Sequence, residues 1–243
     1  MVVGLIGHRI AYSASPAMHT AAFRATGLED WRYELWDVPS QAVRAAVDRL
    51  RDDDCAGANV TIPYKLRALE LADDVDPLAK RVGAVNTLVR RGKRLVGFNT
   101  DVDGVRTALE EIGWRAGTAV VLGRGGAARA AQVALGDADV VMVTREDWEH
   151  RRELARSADV VINCTPLGRA GEVVLEPHDL PAKGAVIDLV YIRGGTPLVN
   201  AALAAGIPVA DGWTVLLAQG AAAFQHWTGV PAPVAAMRGA IQA

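Results

Sequence analysis

From Val2 to Gly7 the chain is apolar without alternation, the pattern of a strand buried on both faces. A polar loop follows, His8 to Ser15, and Pro16 then opens a helix that stops near Gly27. Trp31 to Val38 reads as a second strand. Ser40 caps a helix whose Val43, Val47 and Leu50 share one face. Gly57 to Val60 is a third strand, and Thr61-Ile62-Pro63-Tyr64-Lys65 turns it into a helix, with Thr61 as cap and Pro63 in the first turn. Pro77 to Val82 is a short helix. Ala84 to Arg90 and Arg94 to Thr100 are strands joined by the tight turn Arg91-Gly92-Lys93. A helix then runs to Ile112 and ends at Gly113. Thr118 to Leu122, Val140 to Val143, Ser157 to Cys164, Ala185 to Tyr191 and Ile207 to Ala210 are apolar strands, with helices from Arg129, from Thr196 to Ala205, and after Asp211-Gly212 to about Thr228. Strands alternating with helices predict an α/β fold with mostly parallel sheets.

Composition narrows the class. With 243 residues, about half of them apolar, the chain suits one large domain or two modest ones. Its 26 basic and 28 acidic residues nearly balance and form no block, which argues against nucleic acid or a membrane surface as partner. The first residues lack a basic stretch, and no apolar run reaches membrane-span length, so a cytoplasmic protein is expected. Cys55 and Cys164 form no CxxC and read as reduced core thiols; the five histidines have no metal-ligand spacing, so no metal is expected.

The candidate chemistry lies where strands give way to helices. Lys65 falls in the first turn of a helix, where the dipole disfavours a cation. That points to an anionic partner or to a lysine with a lowered pKa, set against an ordinary solvated lysine. In Ser13-Ala14-Ser15-Pro16, Ser15 is a natural cap and Ser13 is left over; two hydroxyls beside a helix N-terminus can hold a carboxylate, or simply form a cap and turn. Asn86 interrupts an apolar strand, and Asp101 either caps the next helix or faces a ligand. Ligands of open α/β sheets collect at the carboxyl ends of strands, and Ser13, Asn59, Lys65 and Asp101 all fall at or just past such ends. Further on, Gly123-Arg124-Gly125-Gly126-Ala127-Ala128 is a GxGxxA fingerprint between strand and helix, the form that cradles a pyrophosphate. About twenty residues beyond it stands Thr144-Arg145-Glu146-Asp147, in the position that reads the adenosine ribose. An acid there suits NAD and an arginine NADP; Arg145 comes first, which favours NADP over NAD.

The motifs Ser13-Ala14-Ser15-Pro16, Asn59 to Lys65, Gly83 to Thr87, Asn99-Thr100-Asp101, Gly123 to Ala127, Asn163 to Gly168, Asp188 to Tyr191, and Gln219 before Phe224 and Trp227 occur in order along nearly the whole chain. By them the sequence resembles the shikimate dehydrogenase family. The resemblance implies NADPH-dependent reduction of 3-dehydroshikimate to shikimate in aromatic amino acid biosynthesis, by a monomer or homodimer. It implies two α/β domains with a cleft between them: a substrate-binding and catalytic domain of residues 1–100, with helices of 213–243 packing back on it, and a Rossmann-like NADP domain of residues 101–212. Between Arg145 and Ala158 there is room for one helix only, so the edge of the cofactor sheet should be trimmed by a strand. Lys65 and Asp101 would flank the reacting oxygen. Ser13 and Ser15 would hold the carboxylate, and Asn59, Thr61, Asn86, Tyr191 and Gln219 would line the substrate pocket. Gly123, Arg124, Gly125, Gly126, Ala127, Thr144, Arg145, Leu189 and Gly212 would meet the cofactor. The chain departs from the family at His8-Arg9, at Tyr12, at Thr144 of the cofactor pair, and at Arg169, where a methionine near the nicotinamide is usual. The rivals are an NAD-linked quinate or quinate/shikimate dehydrogenase, with Glu146 or Asp147 on the ribose, and a non-catalytic dinucleotide sensor.

Overall fold

The computed structural model describes residues 1–242. The chain divides into two compact units, Met1–Thr100 joined by the chain from Gln219 onward, and Asp101–Ala218.

The first unit holds β1 (Val2–Gly7), α1 (Ser15–Ala25), β2 (Arg32–Asp37), α2 (Val43–Asp48), β3 (Cys55–Val60), α3 (Lys65–Leu71), β4 (Asp74–Val75), α4 (Pro77–Val82), β5 (Thr87–Arg91) and β6 (Arg94–Phe98). Its sheet runs in the order β2-β1-β3-β5-β6-β4. The continuous apolar runs of β1 and β3 are buried throughout, as parallel neighbours covered on both faces must be. The sheet is mostly parallel, as the alternation of strands and helices predicts; β5 alone is reversed, antiparallel to both β3 and β6. The tight turn at Gly92, with φ +63°, allows only that pairing of β5 with β6. Val43, Val47 and Leu50 are buried together beside Ile6, Val60 and Leu88.

The second unit holds α5 (Asp101–Glu111), β7 (Thr118–Leu122), α6 (Gly126–Leu135), β8 (Asp139–Val143), α7 (Arg151–Ser157), β9 (Val160–Asn163), β10 (Ala185–Asp188), α8 (Pro197–Ala204), β11 (Val209–Ala210) and the start of α9 (Gly212–Thr228). Its five strands are all parallel, in the order β11-β10-β9-β7-β8. The chain leaves β7 for β8 on one side and returns through α7 to β9 on the other, so the strand order reverses at β7 and β9. β8 is an edge strand, with a single helix between it and β9. Small residues let α6 lie close to the sheet: Ala128 and Ala131 are fully buried against Ala119, Val121 and Ile162.

The last helices, the end of α9 and α10 (Val234–Gln242), belong to the first unit, where α10 packs on α1. Trp227 of α9 donates its indole N–H to the Leu88 carbonyl at 3.1 Å. That approach needs Gly57: a Cβ there would lie 2.2 Å from the Leu88 oxygen and 2.7 Å from the Trp227 indole nitrogen.

Under these aromatics lies His19, fully buried, stacked on Tyr33 at 4.5 Å and edge-on to Trp227 at 5.3 Å. Neither ring nitrogen has a hydrogen-bond partner. Burial lowers its pKa from 6.5 to about 3, so folding requires the neutral ring. The folded state binds fewer protons than the unfolded one, so stability present above pH 6.5 is lost as pH falls towards 3. At pH 5 this loss should reach ~2 kcal/mol, and His19→Phe should remove it. Denaturant unfolding of both proteins across this range checks the point; parallel curves would show that His19 does not set the acid limit.

Candidate active site

In the first unit the candidate polar residues gather on adjoining strand ends. Asn59, at the end of β3, accepts a hydrogen bond from the Tyr33 hydroxyl at 2.8 Å. Its amide donates to Thr87 Oγ1 at 3.1 Å and to the Asn86 carbonyl at 3.4 Å. Thr87 donates in turn to Asn86 Oδ1 at 3.0 Å. Asn86 Oδ1 also accepts the Thr100 N–H at 2.8 Å, and its Nδ2 donates to Thr100 Oγ1 at 3.0 Å and reaches Gln219 Oε1 at 3.5 Å. This network settles which way each amide faces. It also engages both amide donors of Asn59, which ties β2, β3 and β5 together and leaves one acceptor lone pair. The next residue after Thr100 is Asp101, buried at the start of α5.

The turn before Lys65 differs from the expected cap. Thr61 does not cap α3; its carbonyl accepts the Tyr64 N–H at 2.9 Å, closing a separate turn that contains a cis Ile62–Pro63 bond. α3 therefore starts at Lys65 itself, after Tyr64, with Pro63 outside the helix. The turn is tied down by the Thr61 N–H on the Ile6 carbonyl at 2.9 Å and the Tyr64 hydroxyl on the Val38 carbonyl at 2.7 Å. The Lys65 carbonyl accepts the Val85 N–H at 3.0 Å. The half-buried lysine thus stands on a fixed backbone at a helix start, where its charge opposes the dipole.

The two serines exchange the expected roles. Ser15 is the first residue of α1, after Ala14, and the residue that binds an early N–H is Ser13, whose Oγ accepts the Ser15 N–H at 3.2 Å. The Ser13 hydroxyl proton remains free to donate outward, and the first N–H groups of α1 receive no side-chain cap from Ala14.

In the second unit, the residues read as cofactor contacts all follow the carboxyl ends of strands: Gly123 to Ala127 after β7, Thr144 and Arg145 after β8, Leu189 after β10, Gly212 after β11; Tyr191, read as a substrate contact, also follows β10. Gly123 has φ +119°, a conformation that favours glycine. Gly125 occupies the cap position of α6 with no side chain to bind the first N–H groups, and a Cβ added there would meet nothing within 4 Å. An uncapped helix start with open space above it fits a phosphate group. Gly212 is required for contact: its Cβ would lie 2.5 Å from the Val190 backbone.

At the end of β8, Glu146 pairs with Arg124 at 3.3 Å, and Thr144 Oγ1 bonds Asp147 at 3.1 Å and Glu146 at 3.4 Å. These acids lie in a turn held by Thr144 and do not begin α7, which starts at Arg151. Arg145 is exposed.

Sequence reasoning missed the tie between β9 and β10. Asn163 donates to Asp188 Oδ1 at 2.9 Å and to the Leu167 carbonyl at 3.1 Å, and accepts from Thr165 at 2.7 Å. Asp188 also accepts from Thr196 at 2.6 Å and from the Val190 N–H at 3.0 Å. Burial raises the Asp188 pKa to about 6 against the pull of those donors. One buried pair thereby sets the loops after both strands; the signal was an Asn and an Asp each ending an apolar run.

A family model described as the shikimate dehydrogenase substrate binding domain matches residues 5–88, and one described as the shikimate 5'-dehydrogenase C-terminal domain matches residues 212–242. A shikimate dehydrogenase (NADP(+)) of Symbiobacterium thermophilum is 40% identical over 98% of this chain and 92% of its own. The structure of shikimate 5-dehydrogenase from Thermus thermophilus, in complex with NADP(H) and shikimate, superposes with a TM-score of 0.91 at 37% identity, covering 100% of this chain and 98% of that one. The Listeria monocytogenes enzyme, in complex with shikimate and NAD, gives a TM-score of 0.82 at 29% identity over 99% and 96% of the two chains.

Proposed function

The chain belongs to the shikimate dehydrogenase family, and we propose from that premise that it catalyses the NADPH-dependent, reversible reduction of 3-dehydroshikimate to shikimate in aromatic amino acid biosynthesis. The observation that carries the reading is the pairing of a complete polar network, Asn59-Thr87-Asn86-Thr100, with a glycine loop and uncapped helix start suited to a dinucleotide phosphate. Bound NADPH supplies the hydride. Lys65, as an ammonium, stabilises the negative charge that develops on the ketone oxygen and donates the proton to it. Asp101 orients the lysine and accepts a substrate hydroxyl. Ser13 and Ser15 hold the substrate carboxylate, and Asn59, Thr61, Asn86, Tyr191 and Gln219 line the substrate pocket, Asn59 also bonding the Asn86 carbonyl. The Gly123–Ala127 loop, Arg124, Thr144, Arg145, Leu189 and Gly212 hold the cofactor. We assign substrate binding and catalysis to residues 1–100 with the helices of 213–243, and the cofactor to residues 101–212; the compact units divide six residues later, between Ala218 and Gln219. Among the described residues no helix is long and apolar enough to cross a membrane. We infer a cytoplasmic enzyme, monomer or homodimer; the absence of a disulfide between Cys55 and Cys164 agrees with a reducing compartment.

Initial rates with shikimate and with quinate, each paired with NADP and with NAD, test the reading. Shikimate with NADP should be turned over fastest. Faster turnover of quinate with NAD would install the quinate enzyme instead, and cofactor binding without turnover would install the sensor.

The role of Ser13 has its own test. Ser13→Ala should raise KM for shikimate roughly tenfold, the scale of one lost charge-assisted hydrogen bond. Affinity for NADP should not change. A lowered melting temperature with an unchanged KM would leave Ser13 with only its bond to the Ser15 N–H.

A further inference from the structure

We propose that Arg169 is a charge fixed at the nicotinamide end of the cofactor site, where it discriminates between the oxidised and reduced cofactor. This rests on the reading of the five-stranded sheet as the NADP-binding element. The placement follows from topology. The glycine loop follows β7, and the ribose-reading turn follows β8 on one side of it. A dinucleotide lying across the switch point therefore carries its other half over the ends of β9 and β10. Arg169 follows β9, and Tyr191 follows β10.

The arginine is held there. Its guanidinium lies over the Tyr191 ring, 5.1 Å from the ring centre. That ring also packs against Trp213, at 4.9 Å, whose indole N–H donates to the Ile192 carbonyl at 3.2 Å. The backbone on either side of Arg169 is pinned, since the Glu172 carboxylate accepts the N–H of Gly168 at 2.9 Å and of Ala170 at 3.0 Å. That carboxylate is thereby engaged with backbone amides, and the Leu167 carbonyl is tied to Asn163. Gly168, at φ +102°, lies beside Thr196, the residue bonded to Asp188: a Cβ added to the glycine would sit 3.4 Å from that of Thr196. Loop, ring and guanidinium thus form one assembly braced on the buried Asn163–Asp188 pair.

The oxidised nicotinamide ring carries a positive charge that the reduced ring lacks. A half-buried guanidinium close to it repels only the oxidised form. The consequence is weaker binding of NADP+ than of NADPH, faster loss of the product of reduction, and a bias of the site towards the reductive direction. A neutral side chain in this place, such as methionine, fills the same space without that discrimination.

The test is the dissociation constant of each cofactor form, measured by calorimetry without substrate. Arg169→Met should tighten NADP+ about tenfold relative to NADPH, the scale of two like charges near each other in a partly screened site. Arg169→Lys should keep the wild-type ratio. Arg169→Gln repeats the neutralisation should the methionine variant fold poorly. A ratio of the two constants unmoved by neutralisation, or an equal change in both, would overturn the assignment. Wild-type protein that binds neither form would overturn the NADP reading and this proposal with it, an outcome distinct from an unmoved ratio.

Discussion

Lys65→Met will lower kcat by ~10²-fold or more, the usual scale for losing a general acid or base, while the dissociation constant for shikimate changes far less. The geometry favours a clean result. The backbone at Lys65 is held by its carbonyl on the Val85 N–H, and the preceding turn by Thr61 on Ile6 and Tyr64 on Val38. Methionine has nearly the same length as lysine and a higher helix propensity than most alternatives, so α3 should form as before. What disappears is the ammonium, the group proposed to stabilise and protonate the developing oxyanion. Rapid-mixing measurement of the chemical step together with equilibrium shikimate binding separates the two effects. Near wild-type kcat would remove Lys65 from the mechanism.

Arg145→Ala should weaken NADP binding by ~1.5–3 kcal/mol, about one to two powers of ten, and leave NAD almost untouched. The acids next to Arg145 are already engaged: Glu146 with Arg124 and Thr144, and Asp147 with Thr144. Arg145 follows directly on the end of β8, exposed and able to fork onto a 2′-phosphate that NAD lacks. The Glu146–Arg124 pair is exposed at the same edge, so a bound 2′-phosphate competes with Glu146 for Arg124. KM for both cofactors in both proteins gives the answer. An NAD preference in the wild type, with no response to the substitution, would place Glu146 or Asp147 on the ribose instead.

The strands and helices were legible because their hydrophobic periods are clean. β7 spans the residues its apolar run predicts, and α9 starts and stops where Asp211-Gly212 and Thr228 place it. What escaped was short or long-range. β4 has two residues, too few for any period to register. α6 begins at Gly126, not Arg129, because its first turn is built from glycine and alanine, which leave no hydrophobic period to register. Capping was misread where two candidates stood close together: Ser13, not Ser15, bonds the early N–H of α1, and Thr61 closes a turn of its own. The candidate site was legible as residue types at strand ends, since that is a topological rule. Its supporting bonds were not. Tyr33 to Asn59 and Asn163 to Asp188 join residues that no local pattern links, and the direction of each amide is decided only when the sheet forms.

The most direct test of the account is the oxidation of NADPH by 3-dehydroshikimate, followed spectrophotometrically with purified protein. Consumption of NADPH should equal the shikimate formed, with a much slower reaction when NADH replaces it. No consumption of NADPH, in a protein shown to bind the cofactor, would contradict it.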